Sequence, residues 1–131
     1  MSSSDYTILV VDDEKSIRDL VSMILEREGY KVLLAEHSDD ALLILDGFSE
    51  AIHLLLTDLK MDPYMDGCEL AKCIRLIRPE IGVLYISGFT ENSMVQQEVA
   101  AGKAVFLSKP FSISDFLEKV RVVLKCLGLN P

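Results

Sequence analysis

The spacing of apolar and polar residues along this chain changes repeatedly between the periods of strands and helices. Five short, mostly apolar runs have the length of strands, and they lie at residues 7–11, 31–35, 53–57, 82–86 and 104–107. Strands that are apolar on both faces, with amphipathic helices between them, are typical of a parallel sheet covered by helices on both sides. We therefore predict an α/β fold with one doubly wound, five-stranded parallel sheet.

The segments between and after these runs are predicted to be helices, at residues 17–25, 38–48, 70–74, 90–101 and 113–127. Gly29 and Gly102 follow the first and fourth helices, where a helix end favours the left-handed backbone of glycine. Ser38 is the predicted N-cap of the second helix, and Pro79 stops the third. Residues 112–115 have the form of a capping box, which predicts the start of the fifth helix.

Length and composition indicate one compact domain. The chain has 131 residues and half of them are apolar, enough for a core without disulfides or metals. We expect a single domain over residues 1–131, with a core at about 6–127 and no DNA-binding domain after the fifth helix. The formal net charge of −8 argues against binding to nucleic-acid phosphates and favours a cation or a basic partner.

Neither the cysteines nor the apolar runs indicate export or a membrane. Cys68, Cys73 and Cys126 form no even set and no CxxC pair, so we interpret them as reduced core thiols. The longest apolar runs are far shorter than the ~20 residues that span a bilayer. The first residues lack the basic and apolar regions of a signal peptide. We expect a cytoplasmic chain with no membrane partner.

Polar and charged residues follow four of the five predicted strands. Asp12 and Asp13 follow the first strand, Asp58 the third, Ser87 the fourth and Lys109 the fifth. Because ligands of an open parallel sheet bind beyond the carboxyl ends of its strands, we expect these side chains to converge. Each alone has a plainer interpretation, as a helix cap, a turn residue or a solvated lysine. Together the carboxylates would repel one another unless a cation neutralised them, and such an oxygen-rich site suits Mg²⁺.

Other chemistries lack their motifs in this chain. It has no GxxxxGK[ST] P-loop, and the acidic turn after the first strand differs from the glycine-rich turn that binds flavins or dinucleotides. A phosphatase of the haloacid-dehalogenase type would need DxD, whereas Lys60 stands two residues after Asp58. His37 and His53 lie away from the predicted site, so a catalytic triad is unsupported and both are interpreted as ordinary polar residues.

Five motifs stand at the ends of the predicted strands, at residues 8–14 (ILVVDDE), 57–59 (TDL), 65–67 (MDG), 87–88 (SG) and 106–111 (FLSKPF). In this order they resemble a response-regulator receiver domain of two-component phosphorelays, over essentially the whole chain. The resemblance implies a flavodoxin-like strand order, 2-1-3-4-5. Two runs also resemble the receiver modules of hybrid sensor histidine kinases, so a stand-alone regulator and an excised module both stay open.

The resemblance implies a role for each acid. Asp58 is the phosphoacceptor, which takes a phosphoryl group from the phosphohistidine of a histidine kinase. Asp13 and Asp58 supply carboxylate ligands to Mg²⁺, and the backbone carbonyl of Lys60 supplies a third ligand. Asp12 acts largely through water.

The resemblance also implies how the phosphoryl group is bound and sensed. Lys109 binds the phosphoryl oxygens, and a cis peptide bond before Pro110 fixes its position. Ser87 moves to bond the phosphoryl group, and Phe106 swings inward with it. The implied switch surface comprises the fourth helix, the fifth strand and the fifth helix.

One loop departs from the family pattern. The segment after Asp58 is one residue longer than usual, and Asp62 is interpreted as an insertion that projects into solvent. Lys60 and Phe89 occupy positions that influence autodephosphorylation in this family, so we expect Phe89 to shield the acyl phosphate from water.

The implied function is a signalling switch that catalyses only its own phosphoryl transfer and dephosphorylation. Its implied partners are a sensor histidine kinase or phosphotransfer protein and a downstream protein, with no direct contact to nucleic acid, and homodimer formation on phosphorylation stays open. The alternative is a pseudo-receiver, an interaction module that works without phosphorylation. Such a module is expected to lose Asp58, Lys109 or the acid pair, and this chain keeps them all.

Overall fold

The computed structural model of the chain describes residues 6–60, 65–88 and 93–129. Within these residues, strands and helices alternate without exception. The strands are β1 (Thr7–Val11), β2 (Lys31–Ala35), β3 (Leu54–Asp58), β4 (Gly82–Ser87) and β5 (Val105–Ser108). The helices are α1 (Lys15–Arg27), α2 (Ser38–Gly47), α3 (Gly67–Ile77), α4 (Ser93–Ala100) and α5 (Ile113–Cys126).

The strands form one parallel sheet in the order β2-β1-β3-β4-β5, which confirms the implied topology. At its centre β1 pairs with β3, with Ile8 opposite Leu54 and Val11 opposite Thr57. Because all strands run in the same direction, their carboxyl ends lie at one edge of the sheet. The residues that follow β1, β3, β4 and β5 therefore meet there.

The two outer strands are less buried than the pattern predicts. Every residue of β1, β3 and β4 is buried, as expected for strands covered on both faces. In β2, however, Lys31 is exposed and Leu34 is 41% exposed, and only Ala35 is buried. In β5 only Leu107 is buried. The prediction of burial on both faces is thus wrong for β2 and β5, because an edge strand has a neighbouring strand on one side only.

Two hydrophobic cores flank the sheet, which confirms the prediction of helices on both sides. In β1, Leu9 and Val11 face a core shared with α2, α3 and α4, whereas Ile8 and Val10 face a core shared with α1 and α5. Successive strand residues point to opposite faces, so each central strand contributes to both cores. This double cover holds the strand ends in fixed positions.

Most of the predicted helix ends are confirmed. Gly29 and Gly102 have φ angles of 92° and 75°, the left-handed backbone conformation expected after α1 and α4. The hydroxyl of Ser112 accepts a hydrogen bond from the Asp115 amide at 3.1 Å, so Ser112 caps α5 as predicted. For the fourth helix the predicted residues 90–92 lie outside the described residues.

The predicted cap of the second helix is wrong. His37 occupies the N-cap position of α2 and makes no capping hydrogen bond with its side chain. Ser38 is instead the first residue of the helix and is buried, and its hydroxyl donates to the Met65 carbonyl at 3.2 Å. A tertiary partner has therefore displaced the local capping bond, a competition that sequence spacing does not reveal.

The described cysteines are all free, but only one is a core thiol. Cys68 is buried, Cys73 is partly buried and Cys126 is exposed at the end of α5. The prediction of core thiols is right for Cys68 and wrong for Cys126. Among the described residues, no helix is both long and apolar enough to cross a bilayer.

Candidate functional site

The ends of β1 and β3 bring four carboxylates together. Ligand oxygens of Asp12, Asp13, Glu14 and Asp58 all lie within 4.8 Å of one another. Asp12 and Asp58 are buried, whereas Asp13 and Glu14 are exposed. The expected convergence of Asp12, Asp13 and Asp58 is therefore observed, and Glu14 joins them.

Hydrogen bonds hold both the side chain and the backbone of Asp12 in place. Its Oδ1 accepts from the Glu14 amide at 2.9 Å, and its carbonyl accepts from Arg18 Nη1 at 2.7 Å. Burial raises the pKa of Asp12 above its ordinary value, although the Glu14 amide and the Lys109 ammonium oppose that rise. The carboxylate is thus fixed in position, and its donors offset only part of the cost of its burial.

Asp13 does not cap α1. The N-cap position belongs to Glu14, and no side-chain capping bond is made there. The plainer interpretation of Asp13 as a helix cap is therefore wrong. Its exposed carboxylate belongs to the acid cluster instead, close enough to Asp12 and Asp58 for the three to bind the same cation.

Lys109 supplies the positive charge of the site. Its Nζ lies 3.1 Å from Asp58 Oδ2, 3.5 Å from Asp12 Oδ2 and 4.0 Å from Glu14 Oε1. Burial alone would lower the pKa of Lys109, but these acids outweigh it and raise the pKa above its ordinary value, so the ammonium stays protonated.

The backbone on either side of Lys109 is fixed as well. The Lys109 amide donates to the Ser87 carbonyl at 2.8 Å, which ties the end of β5 to the end of β4. The peptide bond between Lys109 and Pro110 is cis, as predicted. From this point the Lys109 side chain reaches the carboxylates of Asp12 and Asp58.

Asp58 lies at the last position of β3 with its carboxylate largely buried. Its Oδ1 accepts from the Lys60 amide at 3.2 Å, and its Oδ2 accepts from Lys109. Lys60 therefore contacts the Asp58 carboxylate through its backbone N–H. The role of its carbonyl as a metal ligand stays a prediction. With one oxygen bound by an amide and one by an ammonium, Asp58 is oriented toward the other acids.

Gly67, at the start of α3, packs directly against the backbone of Asp58. A Cβ placed on Gly67 would lie only 2.2 Å from the Asp58 carbonyl oxygen, and the Gly67 amide donates to the Leu59 carbonyl at 3.1 Å. The two backbones therefore approach so closely that only glycine fits. This contact fixes where β3 ends, and with it the position of the Asp58 side chain.

We expect Gly67→Ala to lower the free energy of unfolding by about 2 kcal/mol or more, because backbone atoms cannot yield as a flexible side chain can. Urea denaturation of the purified variant measures the change. Gly47→Ala is the matched control, since a Cβ at Gly47 meets nothing within 4 Å. It should leave stability within about 1 kcal/mol of wild type. Equal stabilities for the two variants would contradict the close packing.

Ser87 and Phe106 lie on the neighbouring strands β4 and β5. Ser87 is the last residue of β4, is 3% exposed, and stands opposite Ser108 in the sheet. Phe106 is half-buried and stands opposite Tyr85, on the face of the sheet that α3 and α4 cover. Ser87 therefore lies at the edge of the sheet where the site is, whereas Phe106 lies two residues before the end of β5.

Not every acid near the predicted site belongs to the cluster. Asp66 forms a capping box at the start of α3, in which its side chain accepts from the Glu69 amide at 2.9 Å. Sequence reasoning missed this role although Asp66 and Glu69 have the spacing of the motif. Asp62 and Phe89 lie outside the described residues, so their predicted roles stay predictions.

The donors of the cluster fit a hard cation. Asp12, Asp13, Glu14 and Asp58 offer carboxylate oxygens only, without the thiolate or imidazole that zinc prefers. A cation there would also offset the repulsion among four acids that share one small region. The acid cluster could therefore hold a metal ion.

The fold and the site together define a class of protein: a flavodoxin-like α/β domain with an acidic site and a lysine at the carboxyl edge of its sheet. The family model of the response regulator receiver domain matches residues 8–121. The chain belongs to this family, whose members are signalling modules of two-component systems.

Relatives include both short and long proteins. The sporulation initiation phosphotransferase F of Bacillus subtilis (strain 168) is 33% identical over 89% of this chain and 92% of its own length. The sensor kinase CckA of Brucella abortus (strain 2308) is 31% identical over 94% of this chain, which spans only 13% of that kinase.

A solved structure agrees with the fold along most of the chain. The receiver domain protein of Methanospirillum hungatei JF-1, described as CheY-like, superposes with a TM-score of 0.82 at 31% identity. The match covers 94% of this chain and 96% of that one.

Proposed function

We propose that this chain is a phosphoacceptor switch in which Asp58 accepts a phosphoryl group from the phosphohistidine of a sensor histidine kinase or phosphotransfer protein. The observation that carries the proposal is the pairing at Asp58: an ammonium 3.1 Å from one carboxylate oxygen, beside three further acids. Such a site can bind a cation and hold an anionic phosphoryl group at the same time.

In the transfer step, an oxygen of the Asp58 carboxylate forms a bond to phosphorus while the bond between phosphorus and the histidine nitrogen breaks. The imidazole leaves with the bonding electron pair and takes a proton from solvent. Asp58 needs no general base, because a carboxylate is already the nucleophile. Lys109, now bound to Asp58 Oδ2, would donate to the phosphoryl oxygens and offset their charge.

Mg²⁺ would be held by Asp13, Asp58 and the Lys60 carbonyl, with Asp12 acting largely through water. When bound, the metal would supply positive charge that offsets the negative charge of the acids and of the transferring phosphoryl group. Glu14 is a further candidate ligand, because its carboxylate lies within the same cluster.

The response to phosphorylation would start at Ser87. This buried hydroxyl lies at the carboxyl end of β4, where it can donate to a phosphoryl oxygen. Phe106 would follow it inward, changing the surface formed by α4, β5 and α5 that a downstream protein recognises. We place the whole chain in one cytoplasmic domain, which catalyses only its own phosphorylation and dephosphorylation.

Acetyl phosphate tests the proposal without a cognate kinase. Wild-type protein with Mg²⁺ should gain the mass of one phosphoryl group, and excess EDTA should abolish the gain until Mg²⁺ is restored. Intact-protein mass spectrometry measures the change. A wild type that gains no mass, and whose conformation does not respond to beryllofluoride with Mg²⁺, would favour the pseudo-receiver alternative.

A further inference from the structure

The helix α4 is secured by little apolar burial. Of its eight residues, all of them described, only Val95 is buried. Four residues of α1, five of α3 and four of α5 are buried by the same measure. Because burial of apolar side chains is the main stabilising term for a surface helix, α4 needs other contacts to hold its position.

Glu98 of α4 supplies such contacts by accepting three hydrogen bonds from other elements. Its Oε1 accepts from Arg75 Nη1 at 2.6 Å and from the Tyr85 hydroxyl at 3.0 Å, and its Oε2 accepts from Cys68 Sγ at 3.3 Å. Arg75 and Cys68 belong to α3, and Tyr85 to β4. One side chain therefore joins α4 to both of its neighbours.

These bonds are made where water is largely excluded. The Glu98 side chain is 12% exposed and Tyr85 is fully buried. Burial alone would raise the pKa of Glu98, but the donors Arg75, Cys68 and Tyr85 outweigh it and hold the pKa below its ordinary value. Burial also raises the pKa of Cys68 to about 11, so its thiol stays a donor.

The same cluster extends toward the loop before β5. Arg75 Nη2 donates to the Lys103 carbonyl at 3.0 Å, just after α4 ends. The guanidinium of Arg75 thus contacts both Glu98 and the connection that leads into β5. A displacement of α4 would have to break or remake these bonds together.

The cluster also lies next to the residues that the proposed switch uses. Tyr85 stands opposite Phe106 in the sheet, and both side chains belong to the same core. Tyr85 precedes Ser87 by two residues on β4, so the two side chains point to the same face of that strand. An inward movement of Phe106 would therefore meet the ring whose hydroxyl binds Glu98.

We propose that Glu98 is a positioning residue that anchors α4 to Tyr85, Arg75 and Cys68 in the unphosphorylated protein and so opposes the response to phosphorylation. Only the second part of this proposal, that Glu98 opposes the response to phosphorylation, rests on the proposed function. The anchoring itself is independent of any phosphoryl chemistry. If the response to phosphorylation displaces α4, loss of the anchor lowers the free-energy cost of that displacement. The phosphorylated conformation is then favoured.

Amide hydrogen exchange of the unphosphorylated protein tests the anchor. In Glu98→Ala, the amides of α4 should exchange at least about tenfold faster than in wild type, as expected from the loss of hydrogen bonds to a charged group. Amides of α1 should be unchanged. Gln96→Ala, at an exposed position of the same helix, is the matched control and should leave α4 exchange near the wild-type rate.

A second variant distinguishes loss of the anchor from general unfolding of the protein. Tyr85→Phe removes only the hydroxyl that donates to Glu98 and keeps the ring in the core. It should speed α4 exchange several-fold, with little added effect in the double variant Tyr85→Phe/Glu98→Ala, because both changes remove the same contact. Exchange in α4 equal to that of Gln96→Ala, or an equal increase in every helix, would overturn the proposal.

Beryllofluoride with Mg²⁺ separates this inference from the proposed function. Glu98→Ala and Tyr85→Phe should reach half-saturation at a several-fold lower beryllofluoride concentration than wild type, as followed by intrinsic tyrosine fluorescence or exchange. Unchanged saturation in both variants would overturn the role of Glu98 in the response. A wild type that does not respond would refute the proposed function, while the exchange comparison would still decide the anchor.

Discussion

Asp58→Asn should take up no phosphoryl group from acetyl phosphate under conditions in which wild type is phosphorylated. The amide that replaces the carboxylate is a poor nucleophile, and it removes one of the acids that would hold the metal. Intact mass with Mg²⁺ present measures the outcome, and beryllofluoride should leave the variant unchanged as well.

The fold of Asp58→Asn should remain intact. Asparagine has nearly the size of aspartate, and its carbonyl oxygen can still accept from the Lys60 amide. Removal of one negative charge from the acid cluster also reduces repulsion. Asp46→Asn, at an exposed position of α2, is the matched control and should be phosphorylated at the wild-type rate. A phosphorylated Asp58→Asn protein would show that another residue is the acceptor.

Lys109→Gln should slow phosphorylation by acetyl phosphate about 10²-fold or more. Loss of one preorganised donor to a developing charge has effects of this size in other active sites. The structural reason is the position of the ammonium, 3.1 Å from Asp58 and 3.5 Å from Asp12, where an incoming phosphoryl oxygen would need it. Initial rates from time courses of phosphoprotein formation measure the change.

The Mg²⁺ affinity of Lys109→Gln separates a role in transfer from a role in folding. Because the ammonium competes with a cation for the same carboxylates, the variant should bind Mg²⁺ at least as tightly as wild type. Lys125→Gln, an exposed position at the end of α5, should change neither rate nor affinity. If Lys109→Gln were phosphorylated at the wild-type rate, Lys109 would have no role in phosphoryl transfer.

The positions of the strands could be predicted because apolar periodicity is a local property. Each predicted strand run lies within one residue of the observed strand bounds. Strand order is not local, and here the resemblance implied it. The pattern also failed at β2, where Leu34 is apolar yet exposed, because periodicity does not tell an edge strand from a central one.

Most of the candidate site could be predicted from the topology of the sheet. The prediction was incomplete because it missed contacts that form only in the tertiary structure. Residues that directly follow parallel strands must meet at one edge, which placed Asp12, Asp58 and Lys109 together. The packing of Gly67 against Asp58 and the three bonds to Glu98 join residues of different helices and strands, whose contacts depend on how those elements pack. No spacing rule connects such residues, so only the folded chain reveals them.

The burial of Asp12 carries a free-energy cost for the folded chain. Only 2% of the residue is exposed, and burial raises its pKa, so the folded chain carries its charge at a higher free energy than the unfolded chain does. An apolar residue there would avoid that penalty. Four acids share this small region and only three of them lie within 4.0 Å of the Lys109 ammonium, so a bound cation would offset that penalty and stabilise the folded chain.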